Sequence, residues 1–386
     1  MIASIPYSEP WSSTLSLAER SIGLSNPNPR VGCVLYGPAG ELIGQGHTQQ
    51  AGGPHAEVMA LRDARAKGHS LAGATAYVTL EPCSHHGRTP PCCDALVEAG
   101  IAKVVIATMD PNPLVAGRGV AKLKAAGVAV ELLPPESDEA VASRELNIGF
   151  FSRMVRGTPW VRMKMAASLD GTSALDNGVS QWITGDAARS DGHTWRARAC
   201  AVLTGIGTVL QDDPRLDVRL PGTTRQPHLV IVDSALGTPL SARLFDAAPG
   251  SLSRQVWIYH AVLDAQKQAA LAERGAMLIH MPGATDKVDL AALLRDLAQR
   301  EVNELHVEAG HKLNGSLLRE GLVDELLVYL APKLLGQGAG LSNFGPLQKL
   351  QEGVELQFAS VNRVGDDLRI VARVQGHDAF LHASGV

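Results

Sequence analysis

The spacing of its apolar residues limits this chain more than any other feature. Short β-rich runs alternate with stretches of helical period, and the rhythm is interrupted once. Residues 31–36 and 42–46 read as a hairpin around the turn Gly37-Pro38-Ala39-Gly40. Helices are expected over 15–24, 56–67, 93–99 and 120–126, the last three stopped by Gly68, Gly100 and Gly127. Further strands are expected at 74–80, 104–108 and 128–132. A parallel pair needs a crossover of about a dozen residues, usually a helix, so this order predicts a layered sheet with helices on its faces.

Pro134-Pro135-Glu136-Ser137-Asp138-Glu139 breaks the rhythm, and the stretch up to Gly157-Thr158-Pro159 reads as helical and then polar, a linker. A second α/β pattern starts at Trp160. Its strands are expected at 160–166, 201–204, 228–233, 255–260, 304–308 and 325–330, its helices at 186–198, 288–300 and 312–321. There is no fixed-period repeat. A chain of 386 residues exceeds the roughly 300 that one core supports, so two domains are expected, 1–150 and 151–386.

With 45% apolar and 19% charged residues there is ample material for cores, which excludes a disordered chain. A net charge of -4 carries no basic footprint for nucleic acid. No apolar run approaches the ~18 residues of a membrane span, and residues 1–13 lack the basic start of a secretory signal. The five cysteines, at 33, 83, 92, 93 and 200, are odd in number and three are crowded together. That favours a reduced compartment and a metal or thiol cluster over a disulfide framework. The expectation is a cytoplasmic enzyme acting on a small molecule, assembled as a homo-oligomer, with neither nucleic-acid nor membrane partners.

Three features converge in the first part. His55-Ala56-Glu57 opens a helix after Gly52-Gly53-Pro54, Pro82-Cys83 follows a strand, and Cys92 opens the next helix after Pro90-Pro91. One imidazole and two thiolates make a three-ligand zinc site whose fourth position stays open for water, as a catalytic site requires. Zinc lowers the pKa of that water to about 7. A thiol at a helix N-terminus gains from the positive end of the dipole. The pattern matches the zinc base deaminases, H-x-E followed by P-C-x-x-C, in which the Glu shuttles protons without ligating. Here eight residues separate the two cysteines, and Cys93 competes with Cys92 as ligand. A purely structural site would use four protein ligands and have no need of Glu57.

The segment Glu81-Pro82-Cys83-Ser84-His85-His86-Gly87-Arg88-Thr89-Pro90-Pro91-Cys92 is long and specific. Together with Asn26-Pro27-Asn28-Pro29-Arg30-Val31-Gly32, Gly53-Pro54-His55-Ala56-Glu57 and Asp110-Pro111-Asn112-Pro113, it closely resembles the riboflavin-biosynthesis deaminase–reductases. The resemblance runs from about residue 15 to about 370. It implies a cytidine-deaminase-like α/β/α domain followed by a dihydrofolate-reductase-like α/β domain. It also implies zinc and NADPH as cofactors and a pyrimidine ribose phosphate as substrate. In the first domain His55, Cys83 and Cys92 would hold the metal and Glu57 would be catalytic, with Asn28, His47, His85 and Arg88 as substrate contacts.

In the second domain no G-x-G-x-x-G follows a strand. Gly205-Ile206-Gly207 lacks the third glycine, so the dinucleotide assignment comes from the resemblance alone. It implies cofactor contacts at Ala166, Trp182, Thr208, Asp212, Ser234 and the helix start Gly310, His311, Lys312, Leu313, Asn314, Gly315 and Ser316. Free N–H groups at that helix start suit a pyrophosphate. Substrate contacts are implied at Ser180, Arg196, Leu216, Arg219 and Glu308, the arginines suiting a phosphate, with Lys164 lining the cleft. Thr172, Asp217 and His311-Lys312 depart from the usual residues of the family. Two other readings compete: a single-activity zinc deaminase, which leaves the second half unexplained, and a zinc-stapled binding module, which leaves Glu57 unexplained.

Overall fold

The computed structural model describes residues 7–85, 90–113, 115–246 and 252–382. These form two compact units, one running to Gly157 and regaining the chain from Ala379, the other Thr158–Asp378.

The first unit contains α1 (Trp11–Glu19), β1 (Gly32–Tyr36), β2 (Leu42–His47), α2 (Ala56–Ala66), β3 (Thr75–Val78) and α3 (Cys92–Glu98). It continues with β4 (Lys103–Ile106), α4 (Arg118–Ala125), β5 (Ala129–Leu132), α5 (Asp138–Leu146) and α6 (Ile148–Arg156). Its sheet has the order β2-β1-β3-β4-β5. β1 is antiparallel to β2 and β3, whereas β3, β4 and β5 are parallel, so the loops after β3 and β4 leave the same edge. Helix α2 lies flush on β2. A Cβ on Gly46 would stand 2.5 Å from the Ala56 carbonyl oxygen and from the Ala60 nitrogen, so only glycine permits this approach.

The second unit contains β6 (Trp160–Ser168), β7 (Thr172–Leu175), α7 (Asp186–Arg198), β8 (Ala201–Gly205), α8 (Ile206–Asp212) and β9 (His228–Val232). Next come β10 (Val256–His260), α9 (Ala265–Glu273), β11 (Ala276–His280), α10 (Leu290–Gln299), β12 (Glu304–Val307) and α11 (His311–Arg319). The unit ends with β13 (Glu325–Ala331), β14 (Gly338–Gly340), β15 (Leu356–Val364) and β16 (Asp367–Val374). Nine strands form one sheet in the order β11-β10-β9-β8-β12-β6-β13-β16-β15, parallel from β11 to β13 and antiparallel beyond. Buried Val161, Leu203, Leu305, Leu294 and Leu297 belong to its main core. The chain reverses its direction of travel across the sheet around β6, β12 and β8. The carboxyl ends of strands at such a switch point leave a crevice for ligands.

The structure departs from the sequence reading in three places. The expected helix 15–24 runs instead over Trp11–Glu19, with Trp11, Leu15 and Ala18 burying one face of it, and residues 20–24 are turns. The expected linker is two packed helices. Ser137 caps α5 through the Ala140 N–H, Asp138 and Glu139 fill its first turn, and Phe150 and Phe151 of α6 are buried. The boundary expected at 150 therefore falls inside α6. The expectations named neither α8 and α9 nor β7, β11 and β14–β16.

Candidate active sites in the two units

In the first unit the chain delivers its chemistry at helix starts and strand ends. His55 occupies the N-cap of α2 and Glu57 its first turn, while Cys92 opens α3 after Pro91. Cys83 lies in the loop after β3. The His55 Nδ1 is 3.6 Å from the Cys83 Sγ and 3.4 Å from the Cys92 Sγ. Tetrahedral zinc with ordinary Zn–N and Zn–S bonds places nitrogen and sulfur about 3.6 Å apart, so the three donors fit that metal. The Cys92 N–H donates to the Cys83 Sγ at 3.3 Å. The Cys92 side chain and His55 pull the Cys83 thiol down to about 4 against burial. Cys93 points elsewhere: its thiol donates to the Pro82 and Gly119 carbonyls, and burial pushes it up to about 12. Of the two adjacent cysteines, Cys92 is the one that joins the cluster.

Glu57 is only 4% exposed. Burial, and then the charge of Cys83, push its carboxyl up to about 7, the range in which a carboxyl both takes and returns protons near neutrality. The loop carrying Cys83 is fastened by Glu81, which accepts from the N–H groups of Gly117, Gly119 and Val120 at 2.9–3.1 Å. A Cβ on Gly119 would sit 2.1 Å from the Pro82 carbonyl, so α4 is held against this loop. Asp110, after β4, is buried, and burial pushes its carboxyl up to about 7. The sequence reading gave Glu81 and Asp110 no role, although both stand in the quoted motifs. Among the described residues no hydrogen bond or ion pair joins Asn28, His47 or His85 to the cluster. Asn28 sits in a turn bonded to Ser25, His47 ends β2, and His85 is exposed. Arg88 lies outside the described residues.

In the second unit a cleft of about 640 Å³ opens at the carboxyl ends of β6, β8 and β12. Lys164, Ala166, Ser180, Trp182, Arg196, Thr208, Asp212, Leu216, Arg219, Glu308, Gly310, His311 and Asn314 line it. Ser234, Lys312, Leu313, Gly315 and Ser316 do not. The Ser234 Oγ accepts from the Val288 N–H, Leu313 packs under Gly205, and Gly315 lets the Asn343 carbonyl approach.

Arg196 is engaged on every side. Its Nε and Nη2 fork onto the Glu308 carboxylate at 2.7 and 2.9 Å, and Nη1 donates to the Asp217 carbonyl. Burial raises the Glu308 carboxyl, but Arg196 and His306 outweigh it and hold it well below the usual carboxylate range. Burial lowers the Lys164 ammonium, opposed by Glu308. The first N–H groups of α11 have no intrahelical partner, and the buried Asn314 Oδ1 beside them has none among the described residues. A polar helix start on a cleft of this size fits a dinucleotide phosphate. Of the unusual residues, Thr172 donates to the Gly336 carbonyl, and the buried Asp217 carboxylate lies 3.6 Å from the Arg219 Nη1. The sequence reading passed over His193, which also lines the cleft; standing three residues before Arg196 on one helix, it was within reach of that reading.

Comparison with known proteins agrees with this division. Residues 9–108 match the cytidine and deoxycytidylate deaminase zinc-binding region, and residues 159–370 match the RibD C-terminal domain. The chain is 44% identical over 369 residues to riboflavin biosynthesis protein RibD of Escherichia coli K12, covering 92% of this chain and 95% of that one. It is 40% identical over 356 residues to the protein of the same name from Aquifex aeolicus, again covering 92% and 95%. Among solved structures, Acinetobacter baumannii RibD superposes with a TM-score of 0.83 at 40% identity, covering 94% of this chain and 97% of that one. A Thermotoga maritima diaminohydroxyphosphoribosylaminopyrimidine deaminase/5-amino-6-(5-phosphoribosylamino)uracil reductase gives 0.80 at 32% identity with the same coverage.

Fold and sites together define a two-unit enzyme, a zinc-dependent hydrolytic deaminase followed by an NADPH-dependent reductase. The chain belongs to the RibD family of bifunctional deaminase–reductases.

Proposed function

We propose that this chain catalyses two consecutive steps of riboflavin biosynthesis. Its substrate is 2,5-diamino-6-ribosylamino-4(3H)-pyrimidinone 5′-phosphate, which the first unit deaminates at the 2-amino group. The second unit reduces the ribosyl group of the product to ribityl, giving 5-amino-6-(5-phosphoribitylamino)uracil. The observation that carries this reading is the His55–Cys83–Cys92 triangle with Glu57 buried beside it, on a chain whose other half holds a nucleotide-sized cleft.

His55, Cys83 and Cys92 would hold zinc with the fourth position open. When bound, zinc supplies a Lewis acid that makes hydroxide available near neutral pH. Glu57 takes one proton from the attacking water and passes it to the ring nitrogen; it then takes the second proton from the added hydroxyl and delivers it to the exocyclic nitrogen as the C–N bond breaks, leaving a carbonyl and ammonia. Glu81 keeps the Cys83 loop in place while this happens. In the second unit the residues chiefly position the nicotinamide against C1′ and exclude water. Hydride goes to C1′ and a proton goes to the ring oxygen that is released; Lys164 and Asp212, both on the cleft, are the candidate donors. Ala166, Trp182, Thr208, Asp212 and the α11 start serve the cofactor, and Ser180, Leu216, Arg219 and Glu308 the substrate.

The enzyme works in the cytoplasm as a homo-oligomer. Its five cysteines are free thiols, and no described helix is long and apolar enough to cross a membrane. The edge strand β15 exposes Phe358 and Val361, a surface suited to a second copy. Sedimentation equilibrium at a single-chain mass would overturn the oligomer.

A coupled assay tests the whole reading. With the diaminopyrimidinone phosphate, ammonia should appear first and NADPH absorbance should fall after it. Ammonia without NADPH loss would remove the reductase assignment, and neither signal from zinc-loaded protein would remove the substrate.

A further inference from the structure

We propose that His193 is a phosphate contact of the reductase cleft, acting with Arg219 while Glu308 withholds Arg196 from the anion. This deepens the reading above and rests on it for the identity of the substrate.

Three observations carry it. First, α7 places His193 and Arg196 on one face, both lining the cleft. The Arg196 fork is already filled by Glu308 and the Asp217 carbonyl. A buried guanidinium so neutralised has little left to offer a phosphate. Second, Arg219 lines the same wall with its side chain 55% exposed; its Nη1 lies 3.6 Å from the Asp217 carboxylate, outside hydrogen-bond distance, and its Nη2 turns to His193. Third, the Arg219 backbone N–H donates to the His193 Nδ1 at 3.4 Å and the Arg196 Nη1 reaches the same nitrogen at 3.4 Å, so two donors face Nδ1 and the ring proton of a neutral imidazole belongs on Nε2. That Nε2 stands 3.4 Å from the Arg219 Nη2. In that tautomer two N–H donors face each other, and no acceptor among the described residues bridges them. An anionic oxygen seated against both satisfies this arrangement, and a charge-assisted bond from each follows.

The surrounding charges say what accompanies binding. His193 is faced by Arg196 from its own helix, Arg219 and Asp217 from the segment before β9, and Glu308 from the end of β12. These two cations and two anions cancel. Burial, and then the two arginines, hold the imidazole down to about 4, so it is neutral in the empty cleft. A phosphate dianion against Nε2 opposes that effect and raises the imidazole, so binding takes up a proton and weakens as pH rises above about 4.

The experiment measures reductase kinetics on the deaminated substrate and on its dephosphorylated counterpart. His193→Leu should raise KM for the phosphorylated compound at least ~tenfold, with kcat within about twofold and KM for the dephosphorylated one unchanged. His193→Gln keeps an N–H near the Nε2 position, so it should hold KM within about threefold while flattening its rise with pH. An unchanged KM in His193→Leu, or an equal rise for both compounds, overturns the proposal. A wild-type measurement covers the case in which the leucine variant does not fold. Titrating inorganic phosphate into the protein should move one histidine ring signal, the one missing from His193→Gln, toward the imidazolium position. A still signal overturns the contact. Failure of the wild type to oxidise NADPH with the substrate would instead refute the reductase reading, and the phosphate titration would still decide His193.

Discussion

Glu57 shows how much a single position can decide. Its carboxyl is buried beside two sulfurs and an imidazole, and burial raises it to about 7. Glu57→Gln preserves shape and takes no zinc ligand away, but it cannot move a proton. Ammonia release should therefore fall by ~10²–10⁴-fold. Zinc content and NADPH oxidation with the deaminated substrate should be unchanged, since the reductase residues belong to the other unit. Near-normal ammonia release would remove Glu57 from the mechanism. At this scale the metal cluster was legible because each ligand abuts a recognisable helix start or strand end. Cys92 was preferred to Cys93 because it stands first in the helix, and the direction each thiol takes from the first turn of α3 puts Cys92 with the other two donors. Arg196 was read as an arginine suiting a phosphate and does line the cleft; its pairing with Glu308 was not legible, since Glu308 lies far along the chain, on a loop that only the fold brings near.

Among the elements, α2 matters most to the site, since it carries both His55 and Glu57 and owes its position to glycines on β2. Gly46→Val would force a side chain against the carbonyl of Ala56, the residue between His55 and Glu57. Overpacking of this kind typically costs about 1–3 kcal/mol, and here the displacement falls on the metal cluster itself. The variant should melt several degrees lower and hold less zinc per chain at limiting metal. Wild-type zinc content together with a wild-type unfolding temperature would show that α2 has more freedom than its packing implies. The central strands were the easiest elements to read, since β8 and β10 are near-continuous apolar runs buried on both faces. The edge strand β15 is exposed along most of its length and leaves no burial period to detect. Helices α5 and α6 fall in the stretch read as helical but taken for a linker, because the Pro-rich, acidic segment that looked like a break is the cap and first turn of a helix.

For the whole molecule, the two units have separate sheets and separate sites, and zinc belongs to one of them. Metal binding to a folded site stabilises that fold by mass action, because the unfolded chain does not hold the three donors together. Removing zinc therefore acts on the first unit in two ways: it takes away the Lewis acid, and it leaves two sulfurs, an imidazole and a buried carboxyl without the charge that organises them. The second unit has no share in those donors. Its central charges are internally paired, with Arg162 bridging Glu304 and Glu325, and Arg198 also on Glu304. Dialysis against a chelator should abolish ammonia release and lower the first unfolding transition. NADPH oxidation with the already deaminated substrate should continue, and added zinc should restore the first activity alone. If both activities instead vanish at the same chelator concentration, below the temperature at which the second unit unfolds, the metal would have to act on the reductase as well, and the assignment of one cofactor to each unit would fail.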